Sequence, residues 1–542
     1  YTAMKKSTST AAAFRERLLD RHQIETEWPV KVEAELAQLT ENTVREKSKR
    51  VIDLTHLPFV TIDGENAKDF DDAVFCEKVE DGFCLDVAIA DVARWVVPGG
   101  SLDGAARERG NSVYLPGQVV PMLPELLSND LCSLRPGQLR DVFVCRLRID
   151  HQGRITAYDF IEAQIISAGR LTYEAASEFL AKGAQGFSPE IEHSLLALWT
   201  VSKVLFAHRI GEGSLHLVFP ETVAPLNQEG LIEDISSRPR LAAASLIEEC
   251  MLAANVCAAQ RLDERFGEAI YRCHEAPELD ALRAIKDVLG LYGVKMRPGR
   301  ESAGRMLTRA LESVEQSSAV RESLQMLVLR SLKQAYYSAG KCPHFGLGFA
   351  AYTHFTSPIR RYPDLIAHRM LKMTLGYPAR GAAALQEAEL SAISEHCSHT
   401  ERTAEVAERE MMGWLKAEFI GRYLGEVFSG TVSGVTSFGV FVTLDTLPID
   451  GLVHISDLGQ DYFEFDERFL TLTGRRSGRK LRLGDRFEVK VAGVELEEGK
   501  VNLLPTGISS PRGKLNRSSK QPKTKVKRRP PRKTTDRRRR AR

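Results

Sequence analysis

The chain has 542 residues, is 43% hydrophobic and 27% charged, and carries a formal net charge of +2, which suits about three or four domains with substantial buried cores. No stretch has the basic start, apolar centre and small-residue exit of a secretory signal, and none reads as the eighteen or so apolar residues of a membrane span, so a cytoplasmic protein off the membrane is expected. Nine scattered cysteines, odd in number and without a C-x-x-C pair, argue against structural zinc and for buried thiols in a reducing compartment.

Residues 1–10 are small and polar and carry no fold signal. From Phe14, Leu18 and Leu19 to Val32, Leu36 and Leu39 the apolar spacing predicts helix, making 1–47 a helical lead-in. Residues 48–420 show no linker and interleave strand-like with helix-like segments, as one large mixed α/β domain. Within it Ile52–Ile62 and Leu85–Val97 read as strands, Leu246, Cys250, Ala253, Ala254 and Cys257 mark a long helix, Met306–Tyr337 supplies more helix, and 383–419 forms another. Residues 421–505 change to short β-rich runs punctuated by glycine and aspartate, which predicts a small β-barrel of about five strands. The whole is of the α+β class. Beyond 505 the composition collapses to Lys, Arg, Ser, Thr and Pro, too poor in apolar residues to fold. Sixteen Lys or Arg and one acid, Asp536, give residues 512–542 a charge of +15 and leave −13 on the other 511. A basic tail on an acidic body is expected where a polyanion is captured, though a solubilising or localising tail has the same composition.

Four aspartates, Asp63, Asp69, Asp71 and Asp72, fall within ten residues between two predicted strands. Carboxylates this close repel, so holding them together requires protonation or a cation. Oxygen donors of this kind suit Mg²⁺, with Mn²⁺ as an alternative, and such ions are completed by water and substrate phosphate. An EF-hand is excluded, because counting from Asp63 the fifth position is Ala67 and the sixth Lys68. On these residues alone, turn-forming aspartates on a solvated loop remain an equal reading.

The segment His354–Arg369, H-F-T-S-P-I-R-R-Y-P-D-L-I-A-H-R, is the second chemically dense stretch. Ser357-Pro358 is a favourable helix start and Pro363 interrupts it, which predicts one tight turn followed by a fresh helix from 363 to about 374. Arg360 and Arg361 then sit in a constrained corner, where guanidinium groups grip phosphate by paired hydrogen bonds, with His354 and His368 close by. A surface helix with ordinary salt bridges is the competing reading.

The acidic cluster and H-F-T-S-P-I-R-R-Y-P-D-L, in this order and about 290 residues apart, resemble the signature of the RNB family of exoribonucleases, the RNase II and RNase R group. N-S-V-Y-L-P-G-Q-V-V-P-M-L-P (Asn111–Pro124), L-S-N-D-L-C-S-L (Leu127–Leu134), L-I-E-E-C-M-L-A-A-N (Leu246–Asn255) and H-F-G-L (His344–Leu347) extend the resemblance, which covers roughly residues 48–505. The R-R-Y-P-D-L wording and the basic tail make the chain more similar to the RNase R branch. The barrel resembles an S1 RNA-binding domain of the OB-fold type, through G-x-V at Gly430, S-F-G-V-F-V at Ser437–Val442 and G-L-V-H-I-S at Gly451–Ser456. Its exposed aromatics would stack on bases, with Phe438, Phe441 and His454 as candidates and Phe441 the one most open to a core role.

The resemblance implies a Mg²⁺-dependent, processive enzyme that degrades single-stranded RNA from the 3′ end to nucleoside 5′-monophosphates, accepts structured RNA with a 3′ overhang as a further substrate, and works as a monomer. By motif position it assigns Asp63, Asp69, Asp71 and Asp72 to the metal, Asp71, Arg360 and Glu408 to catalysis, and Tyr114, Arg360, Arg361 and Tyr362 to RNA. Tyr114 matches the family aromatic that stacks on the terminal base, and Glu408, in A-E-R-E, a glutamate near the 3′ nucleotide. A helix-surface acid is the plainer reading of Glu408. Two departures stand out: only about 47 residues precede the catalytic domain, where the family usually carries two cold-shock domains, and Ala224 falls where relatives place a second clamping aromatic. The alternative function is a non-catalytic RNA-binding protein on the same scaffold, against which the presence of all four aspartates and Arg360 counts.

Overall fold

The structure is a computed structural model and describes residues 10–39, 51–183, 186–296, 302–314, 319–376 and 386–506. The expected tail lies outside the described residues, as do residues 40–50. Nine strands come first: β1 (Ile52–Asp53), β2 (Val60–Asp63), β3 (Asp72–Val79), β4 (Gly82–Ala90), β5 (Val113–Leu115), β6 (Gln118–Val120), β7 (Leu139–Asp150), β8 (Ile155–Ile166) and β9 (Gly169–Thr172). Seven of them form one sheet in the order β1-β8-β7-β4-β3-β2-β9, while β5 and β6 form a separate hairpin. Strand β4 is buried along its whole length, as a central strand covered on both faces must be, and its sequence G-F-C-L-D-V-A-I-A is accordingly apolar rather than alternating. The predicted strand Leu85–Val97 is shorter than expected, because Val92–Arg94 turns into 3₁₀ helix after Ala90. Ile52–Ile62 is likewise two strands, β1 and β2, with a turn between them.

The helices are α1 (Ala11–Arg21), α2 (Val30–Gln38), α3 (Ser101–Arg109), α4 (Tyr173–Lys182), α5 (Pro189–Glu212), α6 (Ala242–Phe266), α7 (Leu279–Leu291), α8 (Ala303–Glu312), α9 (Ala319–Arg330), α10 (Tyr362–Thr374) and α11 (Glu387–Gly421). Helix α5 begins where Ser188 caps Ile191 N–H with Pro189 in the first turn, and ends at Gly213 in a left-handed conformation. Helix α6 packs its small residues Ala243, Cys250, Ala254 and Ala258 into the core against the sheet. Contrary to the sequence expectation, α6 is long and apolar enough to cross a bilayer; 67% of that window is buried, so its apolarity serves the core. Tyr336 and Tyr337, expected in helix, instead open strand β13 (Tyr336–Ser338), which pairs with β12 (Tyr271–Cys273). A further short hairpin joins β10 (Glu221–Val223) to β11 (Ser236–Arg238).

The cysteine expectation needs one correction. Seven cysteines are buried free thiols, but Cys273 and Cys342 form a disulfide, with 5.5 Å between their Cα atoms. Their separation of 69 residues hides the pairing from any local motif.

The C-terminal module is a closed barrel, β14 (Val427–Thr436), β15 (Gly439–Leu444), β16 (Asp450–His454), β21 (Lys500–Pro505) and β20 (Arg486–Glu495), in that order around it. Val432, Val440, Val442, Val453, Val489, Val491 and Leu503 fill its interior. A three-stranded sheet, β17 (Phe463–Asp466), β18 (Thr471–Gly474) and β19 (Lys480–Leu481), is inserted between β16 and β20. The barrel is seated on α11, where Gly499 meets Gly413 backbone to backbone. The lead-in helix is docked as well: Phe14 of α1 stacks on Trp414 of α11 with ring centres 5.2 Å apart, and Arg17 pairs with Glu497 of the barrel module at 2.9 Å.

Gly499 has φ +60°, and a Cβ there would stand 2.8 Å from the Gly413 carbonyl carbon, whereas Gly478, at φ +66°, has open space around it. Both Gly→Ala changes carry the backbone cost of a left-handed residue, about 1 kcal/mol, but only Gly499→Ala adds a backbone clash of about 1–3 kcal/mol. Thermal melting of the two variants is expected to show Gly499→Ala clearly the less stable; equal melting temperatures would mean the barrel is not held through this contact.

Candidate active site

Asp63 closes β2 and Asp72 opens β3, so the two strands present them at the ends of the seven-residue excursion 64–70 plus Asp71. That excursion is pinned from below by the L-S-N-D-L-C-S-L segment. Ser133 Oγ receives Phe70 N–H at 3.0 Å and donates to Lys68 O at 2.8 Å, while Leu134 N–H donates to Phe70 O at 3.0 Å. Phe70 is buried, and Ala90 N–H on β4 donates to Asp71 O at 2.8 Å. The motif of residues 127–134 therefore fixes the acidic loop rather than reacting itself.

Asp71 is the junction of the two chemical halves. Ile359 N–H donates to its Oδ1 at 2.9 Å and Arg360 Nε to its Oδ2 at 3.2 Å. Arg360 Nη2 donates to Ser357 Oγ at 2.9 Å, and Ser357 N–H donates to Asp364 Oδ1 at 2.8 Å, closing the tight turn before α10. Arg361 Nη2 donates to the same Asp364 oxygen at 2.8 Å. The turn is hydrogen-bonded in turn to the stretch before β5, through Ser112 N–H to Arg360 O at 3.0 Å and Tyr362 N–H to Gly110 O at 2.9 Å. Acidic loop, arginine corner and the β5–β6 hairpin that carries Tyr114 are thus one hydrogen-bonded body. Tyr114 is 38% exposed and donates its hydroxyl to Asp69 Oδ2 at 2.8 Å.

The electrostatics show a site short of positive charge. Burial raises Asp71 to about 8 even with Arg360 opposing it, and raises Asp72 to about 7, helped by the neighbouring charge of Asp63. Asp63 is raised as well, again chiefly by burial. Without a cation, Asp71 would be mostly neutral and Asp72 about half neutral at pH 7. Among the described residues no three acids converge as a finished metal cage. All-oxygen donors, held in a charge-deficient recess with their cage incomplete, fit a hard divalent ion carried by one or two carboxylates, water and a substrate phosphate.

Beside Arg360 lies a cavity of 200 Å³ lined by Asn111, Tyr114, Tyr337, Arg361, Glu401, Glu405 and Glu408. Glu408, on α11, is held above the usual carboxylate range by burial and by Glu405. Among the described residues Arg361 Nε and Asn111 Oδ1 are buried without a hydrogen-bond partner, the state of groups that a polar ligand would satisfy.

Three expectations for this corner are corrected. Tyr362 is buried, donating its hydroxyl to Asp103 at 3.0 Å as part of the base of α10, and cannot face RNA. His368 is fully buried, stacked on Phe355 and bonded to Phe355 O at 2.7 Å; burial pushes it down to about 3, so it is a neutral core residue. His354 is taken up by the Tyr337 hydroxyl at 2.8 Å and is also held well below its ordinary value by burial. Neither imidazole offers a cation to phosphate. Two neighbours escaped the sequence reading. Tyr173, the first residue of α4, follows Thr172, which pairs with Asp63 across β2 and β9, and its phenol is raised by burial and by the charges of Asp63 and Asp72. Arg170 of β9 donates to Gly64 O at 3.2 Å and to Glu65 O, and lowers Asp63. Only the parallel pairing of β2 with β9, Asp63 opposite Thr172, brings them there. Ala224 lies just past β10, and Leu226 in the same loop sits 3.5 Å from where a side chain on Gly117, at the turn of the Tyr114 hairpin, would begin.

On the barrel, Val440 and Val442 point inward, so the strand's period of two turns Phe441 to the outer face, half-buried rather than in the core. Phe438 is 47% exposed and 6.1 Å from Phe441 between ring centres. Pairing of Gly439 with His454 brings the exposed His454 to the same edge.

Comparison with known proteins agrees with this geometry. Residues 51–377 match the RNB domain family and residues 424–504 the S1 RNA binding domain family. Ribonuclease R of Escherichia coli is 42% identical over 511 residues, covering 92% of this chain and 62% of that protein. The chain thus spans about three fifths of the length of the curated relatives it matches. Among solved structures, Mycoplasma genitalium RNase R in complex with ribose-methylated single-stranded RNA superposes with a TM-score of 0.87 at 32% identity, over 92% of this chain and 78% of that one. The same enzyme in complex with double-stranded RNA gives 0.81 at 30% identity, over 92% and 84%.

The raised carboxyls make a prediction about stability. Between its unfolded and folded values a raised carboxyl is protonated only in the folded chain, so stability falls as pH rises through that window and is lowest above about 8. Raising pH from 7 to 9 in EDTA is expected to lower the melting temperature by a few degrees, and millimolar Mg²⁺ to remove part of that fall. Asp72→Asn should shrink the Mg²⁺-sensitive part. A fall that Mg²⁺ leaves untouched in the unaltered protein would count against an ion at this site.

Proposed function

Because the chain belongs to the RNB family, we propose that it is a processive exoribonuclease of the ribonuclease R type, which hydrolyses RNA from the 3′ end to nucleoside 5′-monophosphates with Mg²⁺ as its ion. The observation that carries this reading is Asp71 joined at once to Ile359 and Arg360, which ties the acidic loop to the arginine corner. A bound divalent ion would lower the pKa of a water and neutralise charge growing on the phosphate. Asp63 and Asp72 are the carboxylates best placed to hold it, with Asp69 freed for it if Tyr114 turns to a base.

The chain's own residues do the rest. Arg360, with Nε engaged by Asp71 and Nη2 by Ser357, is held in one orientation and offers Nη1 to a phosphate oxygen, so that no reorganisation is needed as charge develops. Tyr114 gives the terminal base a flat surface, while Asn111, Arg361 and Glu408 line the cavity where the last nucleotide would sit. Phe438, Phe441 and His454 offer a stacking edge for bases further back along the strand. Such an enzyme serves RNA turnover in the cytoplasm, and the relative solved in complex with double-stranded RNA supports structured RNA as a further substrate. A non-catalytic RNA-binding role is not favoured, since the acidic cluster and Arg360 are complete.

Asp71→Asn keeps an oxygen for Ile359 N–H while removing the charge, so the fold is expected to survive and RNA to bind. Hydrolysis should fall by about 100-fold or more. Following 5′-labelled and 3′-labelled single-stranded RNA with and without Mg²⁺ checks rate, polarity and ion together; mononucleotide release at the unaltered rate by the variant would overturn the assignment. A second expectation concerns the basic segment. Deleting residues 512–542 should flatten the salt dependence of RNA affinity, by roughly 0.7 in the log–log slope for each phosphate that the segment neutralises. An unchanged slope in binding titrations would show that the segment does not touch RNA.

A further inference from the structure

The disulfide partners close an excursion of the chain that has a job of its own. Cys273 ends β12, and Cys342 lies four residues beyond β13; between them run α7, α8 and α9. This helical arm reaches the S1 module at its far side. Tyr292, just after α7, donates its hydroxyl to Leu483 O at 2.7 Å, Arg468 Nε donates to Asp287 of α7 at 2.7 Å, and Ser323 Oγ of α9 donates to Val432 O on β14 at 3.2 Å. The base of the arm is also closed by three residue pairs between β12 and β13, by backbone hydrogen bonds from His274 N–H to Pro343 O at 3.1 Å and from Phe345 N–H to His274 O at 2.8 Å, and by exposed ion pairs from Lys333 to Glu275 and Glu278. The exposed ion pairs contribute little, and the sulfur link is the covalent closure within this backbone pairing.

The two sulfurs differ in access. Cys273 is fully buried, whereas Cys342 is only partly so, and the other seven cysteines are buried as free thiols. Of the two partners, Cys342 is therefore the one that can meet a small reagent and pass the reaction to a neighbour within the fold.

We propose that Cys273 and Cys342 are a reversible thiol–disulfide site that locks the base of the α7–α9 arm, and with it the arm's hydrogen bonds to the S1 module, when a small-molecule disulfide oxidises it. The Cys342 thiolate attacks one sulfur of the reagent, for which oxidised glutathione is the probe, and expels one glutathione thiolate. Cys273 then attacks the Cys342 sulfur of the mixed disulfide and expels the second. Two protein thiols become one disulfide, and the reagent leaves as two thiols carrying the two protons. A Cα separation of 5.5 Å lies within the ordinary disulfide span, so the folded backbone is the same in both states. The link acts instead on the opened arm, whose freedom it cuts by tying its two ends together. This inference concerns stability of the arm and holds whatever the substrate.

The experiment uses the full chain, reduced with dithiothreitol or oxidised with oxidised glutathione, then alkylated with N-ethylmaleimide and digested for mass spectrometry. The expected result is a Cys273–Cys342 linked peptide that dithiothreitol abolishes, with tryptic cleavage inside residues 279–330 of the native protein slowed about tenfold or more by oxidation. Cys342→Ser should cleave at the reduced rate under both conditions. Free, alkylated Cys273 and Cys342 after oxidation would overturn the proposal, as would a linked peptide with unchanged cleavage, or oxidant-dependent cleavage that persists in Cys342→Ser. If that variant fails to fold, the oxidised and reduced forms of the unaltered chain decide the question by themselves.

Discussion

The contact on which the site depends is the pair of hydrogen bonds that Asp71 accepts from Ile359 N–H and Arg360 Nε. A buried carboxylate without partners is costly, and Asp71 is buried while the Arg360 side chain that meets it stays 44% exposed. Asp71 and Arg360 therefore stabilise each other only in the arrangement that also sets the arginine beside Asp63 and Asp72. The protein does not tolerate its acidic loop and its cationic corner apart. That constraint propagates outward: the arginine corner is hydrogen-bonded to the Tyr114 hairpin, and the acidic loop to Ser133 and Leu134, so separate stretches of sequence meet around one carboxylate.

The barrel is held by the opposite kind of interaction, a close approach without side chains. Where Gly413 meets Gly499 the two backbones come near enough that any Cβ on Gly499 would intrude. Helix α11 thus carries a barrel at one end and Glu408 in the cavity wall, and α1 braces it through the Phe14–Trp414 stack. A strand of nucleic acid passing from the Phe438 edge to the recess would run along parts fixed to one helix.

Much of this was legible in the sequence because the site is built from dense local motifs. The four aspartates, the capped turn at Ser357 and Pro358, and the alternating barrel strands each announce themselves within a dozen residues. What escaped notice depends on distance along the chain. Tyr173 and Arg170 come to the acidic group only through parallel pairing of β2 with β9, and Cys273 meets Cys342 only across three helices. Burial misled in both directions: His368 and Tyr362 sit in a motif rich in chemistry yet serve the core of α10, while Phe441, the barrel candidate most open to a core role, is turned outward by the valines on either side.

The separation of 289 positions between Asp71 and Arg360 also orders events in time. A ribosome adding about 5–20 residues each second needs roughly 15–60 s to travel from one to the other. Throughout that interval the emerging chain holds its carboxylates but not the guanidinium that completes them, and pairing so remote in sequence forms late. A nascent chain therefore carries an incomplete recess, its buried carboxylate without the guanidinium that meets it, until the arginine corner has left the ribosome and found the acidic loop.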